Sequence, residues 1–244
     1  MPNINSQKNL SFLIKNLKRF NTLELVGVFL GDGSIIYNPP KIYKFELNGN
    51  ADDEQDYYSK ISIFLKRKFD LNPKVYIKYE KLGKTLRLVV NNKNFVYFLI
   101  KNLKLNFRNK TFEGYIPEDF LKWNKSKHIL RGLFETDGCL YFTRTKPTNL
   151  ANYPRLEIKT SSKKLANQVV YLLKQRKFRV NTRTSKGDKT IGIYLSGNKM
   201  VEKWINEIGF SKLKTITKHQ IYKRLGYYLP RSSLSKRLNI LKGT

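Results

Sequence analysis

The spacing of apolar and polar positions divides the chain into segments of helical and strand-like period. Residues 7–19 set Leu10, Phe12, Leu13, Ile14 and Leu17 at helical spacing with lysines on the other side, which predicts a lead-in helix. The apolar run Leu25–Leu30 predicts a second, with Asn21 or Thr22 as cap and Glu24 in the favourable first turn. Ser34–Asn38 and Ile42–Asn48 alternate as strands around Pro39-Pro40. Asp52 and Asp53 precede a helix over Tyr57–Phe69, with Ile61, Phe64 and Leu65 inward. Val75–Glu80 and Thr85–Val90 form another strand pair through Lys81-Leu82-Gly83-Lys84, and Phe95–Leu103 closes the unit as a helix. The predicted order is α-β-β-α-β-β-α.

After a polar, turn-rich stretch at 106–124, with a short helical piece at Glu118–Trp123, the same order returns. A helix from Ser126 leads to strands Cys139–Thr145 and Arg155–Thr160. Ser161 or Ser162 caps a helix Lys163–Arg176. Phe178–Ser185 and Thr190–Ser196 make a hairpin around Gly187-Asp188, and Lys199–Ile208 closes the unit. Local echoes support duplication, such as Arg67-Lys68-Phe69-Asp70-Leu71-Asn72 against Arg176-Lys177-Phe178-Arg179-Val180-Asn181. The expected organisation is a first half at 1–105, a connection at 106–124 and a second half at 125–225. The second half includes one more helix at Ile216–Leu225, and a basic, Ser-rich, mobile tail follows at 226–244.

The two halves share one motif. Leu25–Gly33 reads Leu-Val-Gly-Val-Phe-Leu-Gly-Asp-Gly, and Leu130–Gly138 reads Leu-Arg-Gly-Leu-Phe-Glu-Thr-Asp-Gly. Gly27 and Gly31, and likewise Gly132 and Thr136, put small residues on one helix face, where another helix can come close. Gly33 and Gly138 read as left-handed helix stops. Asp32 and Asp137 therefore sit at the negative end of a helix dipole, which disfavours a carboxylate by roughly 0.3–1 kcal/mol. If the two helices pack on each other, the like charges meet and repel. A divalent cation resolves this, and Mg²⁺ takes carboxylate and carbonyl oxygens while keeping several waters. One Asp-Gly pair alone is an ordinary turn signal; two in matching contexts are not.

Composition narrows the partner. Lys and Arg number 48 against 18 acids, a net charge of +30. Such a surplus repels itself unless a polyanion neutralises it, and nucleic acid does so with release of counterions. With 40% hydrophobic and 13% aromatic residues the chain can build a core. One cysteine, Cys139, excludes an intrachain disulfide framework, and with only His128 and His219 besides, no Cys/His zinc site can be assembled. No run approaches the ~20 apolar residues of a membrane span, and lysines interrupt the first apolar cluster too early for a signal peptide. The expectation is an intracellular protein, not secreted and with no membrane partner.

The paired motifs resemble the signature of the LAGLIDADG homing endonucleases, in the single-chain form with two motifs. The resemblance covers about residues 20–220. It implies an α+β fold of two pseudo-symmetric αββαββα halves, with the motif helices packed at the centre and two antiparallel sheets straddling a long DNA duplex. It implies a monomeric, site-specific endonuclease that hydrolyses one phosphodiester per strand and leaves short 3′ overhangs. Asp32 and Asp137 would hold Mg²⁺, with the carbonyls of Gly31 and Thr136 as further ligands. Mn²⁺ is an expected substitute, and Ca²⁺ is expected to bind without supporting cleavage. The family also places a lysine near each site, which suggests Lys110 and Lys214, although surface solvation or a plain phosphate contact remains an equal reading of either. Asn48 or Asn50 and Thr160 are the candidates for ordering water. The family's acidic sixth motif position is Leu30 in the first copy, a departure, and Glu135 in the second, so Glu135 is assigned no catalytic role. Near Gly49 the family's usual polar residue has no clean counterpart.

A sheet with one face on helices leaves the other free. Alternate residues on these strands are basic and polar: Tyr76, Lys78 and Glu80; Arg155, Glu157 and Lys159; Arg179, Asn181, Arg183 and Ser185. With Arg87 and Arg144 these are the expected DNA contacts, since a β-ribbon fits the major groove. The chain begins Met-Pro-Asn and ends Lys-Gly-Thr, without the residues that bound an intein, so a free-standing, intron-encoded enzyme is favoured. No obligate protein partner is expected. Two alternatives stand beside it. One is an RNA maturase, with intron RNA as partner, or a non-catalytic DNA-binding regulator on the same fold. The other is a generic basic RNA-binding protein.

Overall fold

A computed structural model describes residues 17–80, 83–147, 149–185, 187 and 189–243. The first half runs α1 (Thr22–Leu30), β1 (Gly33–Asn38), β2 (Ile42–Asn50), α2 (Gln55–Phe69), β3 (Lys74–Glu80), β4 (Gly83–Asn91) and α3 (Lys93–Tyr97), whose end widens over Phe98–Asn102. The single turn α4 (Lys110–Glu113) and a tight turn at Glu118–Phe120 lead to the second half. This runs α5 (Trp123–Asp137), β5 (Gly138–Thr145), β6 (Leu150–Thr160), α6 (Lys163–Gln175), β7 (Val180–Thr184), β8 (Ile191–Ser196) and α7 (Asn198–Glu207). Helices α8 (Leu213–Leu225) and α9 (Leu234–Lys242) follow.

The two halves repeat one topology. Each sheet has four antiparallel strands, in the orders β1-β2-β4-β3 and β5-β6-β8-β7. Ile35, Phe45, Leu47, Leu86 and Leu88 bury one face of the first sheet; Leu140, Leu156, Ile158, Ile193 and Leu195 do so in the second. All join one continuous core with the central helices. Side-chain caps start the helices where the sequence offers them: Asn21 accepts from the Glu24 N–H at 2.9 Å, and Ser162 from that of Leu165 at 3.2 Å.

Four expectations need correction or comment. The lead-in helix expected over 7–19 falls mostly outside the described residues, as do Lys81 and Leu82 of one hairpin turn and Asp188 of the other; residues 17–19 are not helical. Gly33 and Gly138 are not left-handed stops, since Gly138 is extended at φ −104° and Gly33 is not among the positive-φ glycines. They are glycines because the strand leaves its helix so abruptly. A β-carbon on Gly33 would lie 2.6 Å from Phe29 Cα, and one on Gly138 would lie 2.3 Å from the Phe134 carbonyl oxygen. The tail is not a loose segment. Helix α9 packs on α8 through Leu241, Ile216 and Ile221, and buried Arg237 donates from Nε to the Thr217 hydroxyl at 3.0 Å. Lastly, Arg144 lies beyond a bulge in the β5–β6 pairing, opposite buried Ala151, and is out of phase with the free face.

Candidate functional site

The site is built on α1 and α5. They pack in parallel with their backbones almost touching, because Gly27 and Gly132 carry no side chain between them. A β-carbon on Gly27 would sit 2.0 Å from the Ile129 carbonyl oxygen, and one on Gly31 would sit 3.3 Å from Asp137 Cγ. Both helices thus bring their negative ends, and with them Asp32 and Asp137, to one place. At the opposite end a buried network ties the pair together. Arg131 meets the fully buried Glu24 at 2.8 Å and donates to the Ile208 carbonyl at 2.9 Å, while the Tyr57 hydroxyl donates to Glu24 at 3.1 Å.

Both aspartates are held towards the protonated form. Burial raises the Asp32 carboxyl to about 6, with Glu54 adding and Lys212 and Lys110 opposing. Burial and the charge of Asp32 raise Asp137 to about 7, against Lys110 and Lys212. The repulsion expected from the sequence is present.

Two lysines answer it. Lys110 points its ammonium at the end of α1 and donates to the carbonyls of Phe29 at 2.9 Å, Gly33 at 2.7 Å and Gly31. The helix end that disfavours a carboxylate thus accepts a cation. The second is Lys212, not the expected Lys214. Lys212 is buried, ion-pairs with Glu54 at 2.8 Å, and its charge reaches both aspartates. Lys214 pairs instead with Asp53 at 3.4 Å and Glu54 at 3.8 Å.

Glu135 has a positioning part that the sequence did not suggest. Its buried carboxylate accepts from the backbone N–H of Ser211 at 2.5 Å and of Lys212 at 3.2 Å, and from the Thr215 hydroxyl at 3.0 Å. It holds the turn that presents Lys212. Burial raises its own carboxyl to about 7. Glu54 and Lys212 are thus site residues the sequence reading missed. The signal for Glu54 was the acidic run Asp52-Asp53-Glu54 in a chain so poor in acids.

The candidates for ordering water differ among themselves. Asn50 accepts from the N–H of Asp52 at 2.8 Å and serves the turn into α2. Thr160 accepts from the N–H of Ser162 at 3.2 Å. The side-chain oxygen of Asn48 is buried with no hydrogen-bond partner among the described residues.

On the free sheet faces the cross-strand register groups the expected contact residues. In the first sheet Asn48, Arg87 and Tyr76 form one row, and Lys78 stands beside Thr85 and Asn50 in the next. In the second, Arg155 pairs with Tyr141 and Ser196, Asn181 with Tyr194, and Lys159 and Arg183 flank Gly192. Arg179 and Ser185 fall just outside β7. Among the described residues no cluster of three or more Asp, Glu, His or Cys side chains could hold a metal, and no helix is long and apolar enough to cross a membrane.

Comparison with known proteins gives this arrangement a family. The LAGLIDADG-like domain matches residues 125–209, and the WhiA LAGLIDADG-like domain matches residues 22–107. With such a domain in each half, the chain belongs to the LAGLIDADG family, in its single-chain, two-domain form. No curated protein sequence matches it. Among solved structures, it is similar to meganuclease I-SmaMI bound to uncleavable DNA at 10% identity and TM-score 0.58, over 93% of this chain and 98% of that one. The I-LtrWI LAGLIDADG homing endonuclease bound to target DNA matches at 19% identity and TM-score 0.55, over 84% and 88%. I-DmoI in complex with DNA and Mn matches at 16% and 0.52, over 77% and 94%. These likenesses are of fold.

Proposed function

We propose that the chain is a site-specific DNA endonuclease, dependent on a divalent metal, that cuts both strands of a long duplex and serves the homing of an intron. The observation that carries this reading is the convergence of Asp32 and Asp137 at the paired C-termini of α1 and α5. Each is half-buried and pushed towards protonation, a state that a bound cation would relieve. The donor set fits a hard cation: two carboxylates and the helix-end carbonyls are all oxygens. Asp32 and Asp137 would hold the metal, with the Gly31 and Thr136 carbonyls as further donors. The Gly31 oxygen already accepts from Lys110 and keeps a second lone pair. Glu54 is engaged by Lys212 and the Asn50 N–H, so beyond the two aspartates and the helix-end carbonyls the remaining positions fall to water and phosphate oxygens.

When bound, Mg²⁺ supplies polarisation of the phosphoryl oxygen and a bound water of lowered pKa. The chain's own groups do the rest. Lys110 and Lys212 balance the negative charge of the helix ends and steady the incoming phosphate. The free sheet faces position the duplex through its backbone and base edges. That the I-DmoI, I-LtrWI and I-SmaMI structures hold DNA, in I-DmoI with Mn, Ca or Mg, supports DNA and a divalent ion as partners. The test selects a bound duplex from a randomised library and incubates it with Mg²⁺. The native chain should cut both strands, and Asp32→Asn and Asp137→Asn should each abolish normal cleavage. If both single variants cut both strands as the native chain does, the assignment fails.

The match of the first half to the WhiA type leaves open a second reading, a DNA-binding regulator that needs the basic sheets but not the acids. It predicts sequence-specific duplex binding with no Mg²⁺-dependent cleavage by the native chain.

A further inference from the structure

The hairpin registers make Gly49 and Thr160 equivalent. Gly33 lies across from Leu47 and Gly138 across from Ile158, and Gly49 and Thr160 each stand two residues further on the same side. Both positions run past the start of the neighbouring strand, level with the helix end that carries the aspartate, since continuing the register would set Gly49 across from Gly31 and Thr160 across from Thr136. In the second half this place holds a hydroxyl. In the first it holds no side chain, yet the space is filled. A β-carbon on Gly49 would lie 2.5 Å from the Tyr58 hydroxyl oxygen and 2.6 Å from Glu54 Oε2. The two groups come from the start of α2, so glycine at 49 is what admits them.

We propose that the Tyr58 hydroxyl, entering through the space that Gly49 leaves open, is the water-orienting group of the Asp32 site. This rests on the endonuclease reading and deepens it. Glu54 is already engaged: its Oε2 accepts from the Asn50 N–H at 3.1 Å and its Oε1 from Lys212 at 2.8 Å. Tyr58 is the neutral group beside it. Burial and the charges of Asp32 and Glu54 hold its proton on, well above the usual phenol range. The hydroxyl therefore acts as a fixed hydrogen-bonding group and not as a base. As a neutral phenol it can donate to or accept from a water in the space beside Gly49. The equivalent place in the other half carries Thr160, whose hydroxyl oxygen accepts from a backbone N–H, so the two sites are chemically unlike. Removing the Tyr58 hydroxyl should therefore act on one strand only.

The experiment follows both strands of the selected duplex, separately end-labelled, during Mg²⁺ cleavage by Tyr58→Phe, with Asp32→Asn alongside. Tyr58→Phe keeps the ring and its packing, and its melting temperature and Ca²⁺-supported binding to the same duplex check the fold. Cutting of one strand should slow about tenfold, the scale of losing one net hydrogen bond, while the other stays within about twofold. Equal rates on both strands, whether native or equally slowed, overturn the proposal. If Asp32→Asn is inactive while Tyr58→Phe behaves as the native chain, only the role of Tyr58 is lost. If Asp32→Asn cuts both strands as the native chain does, Asp32 is not the centre of a site and the role of Tyr58 falls with it; if the native chain cuts neither strand, the endonuclease reading itself fails.

Discussion

Gly27 and Gly132 each press against the backbone of the opposite motif helix: a β-carbon on Gly27 would sit 2.0 Å from the Ile129 carbonyl oxygen, and one on Gly132 would sit 2.1 Å from that of Glu24. Neither obstacle is a flexible side-chain tip, so one added methyl must move a helix. Gly27→Ala and Gly132→Ala should each destabilise the fold by about 2 kcal/mol or more, the upper range for overpacking. Gly187→Ala, where a β-carbon meets nothing within 4 Å, should lie within about 0.5 kcal/mol of native. Denaturant melts check all three.

The raised carboxyls give a stability slope of stated sign. Asp32 and Asp137 go from the usual 3.8 to about 6 and about 7, and Glu135 from 4.5 to about 7. The folded state thus binds more protons than the unfolded state between those limits. Their contribution makes stability fall as pH rises through this window and level off above it. In metal-free buffer the native chain should lose more melting temperature than Asp137→Asn between about pH 5 and about pH 8. At the higher pH, Mg²⁺ should raise the native melting temperature and leave that of Asp32→Asn nearly unchanged.

Lys212 is buried against Glu54 at 2.8 Å, so removing it leaves a carboxylate without its closest partner. Lys212→Met should destabilise by about 2–4 kcal/mol, somewhat under the full penalty for breaking a buried pair because Lys214 stands 3.8 Å from the same carboxylate. Glu54→Gln with Lys212→Met should recover most of that stability. It should not recover cleavage if the Lys212 charge acts on the phosphate. Thermal melts and strand-cleavage rates separate the two effects.

Lys159 and Arg183 flank Gly192 on the free face of the second sheet, and both are exposed. If they contact phosphates, each change to alanine should reduce the slope of log affinity against log salt by about 1 and weaken specific and non-specific duplexes alike. An unchanged slope would remove these two residues from the interface.

The duplicated α-β-β-α-β-β-α order was legible from period alone, and the two motifs announced the meeting of Asp32 and Asp137. Local patterns misled where a distant group decides. In Lys212-Leu213-Lys214 both lysines suit the motif's lysine position. The choice falls to Glu54, 158 residues away, which receives Lys212 into the interior, and to Glu135, which fixes the backbone of that turn. In the same way, Asp-Gly reads as a left-handed stop until the strand is laid back on its own helix and the Phe29 and Phe134 backbones leave no room for a β-carbon. The basic, Ser-rich tail reads as mobile, yet Arg237 turns inward because Thr217 and the Ser232 carbonyl accept its hydrogens.

By itself the sequence determined the repeat, the order of elements, the basic character of the molecule and the pair of acids at the helix ends. These are properties of neighbouring residues and of composition, and need no knowledge of what lies across the interior. The tertiary structure decided which cations stand by those acids, why Gly27, Gly33, Gly49, Gly132 and Gly138 are glycines, and that Tyr58 and Glu54 fill the space beside one site and not the other. Such choices depend on burial, where an unpaired charge or an extra methyl is penalised by whatever group packing has brought alongside.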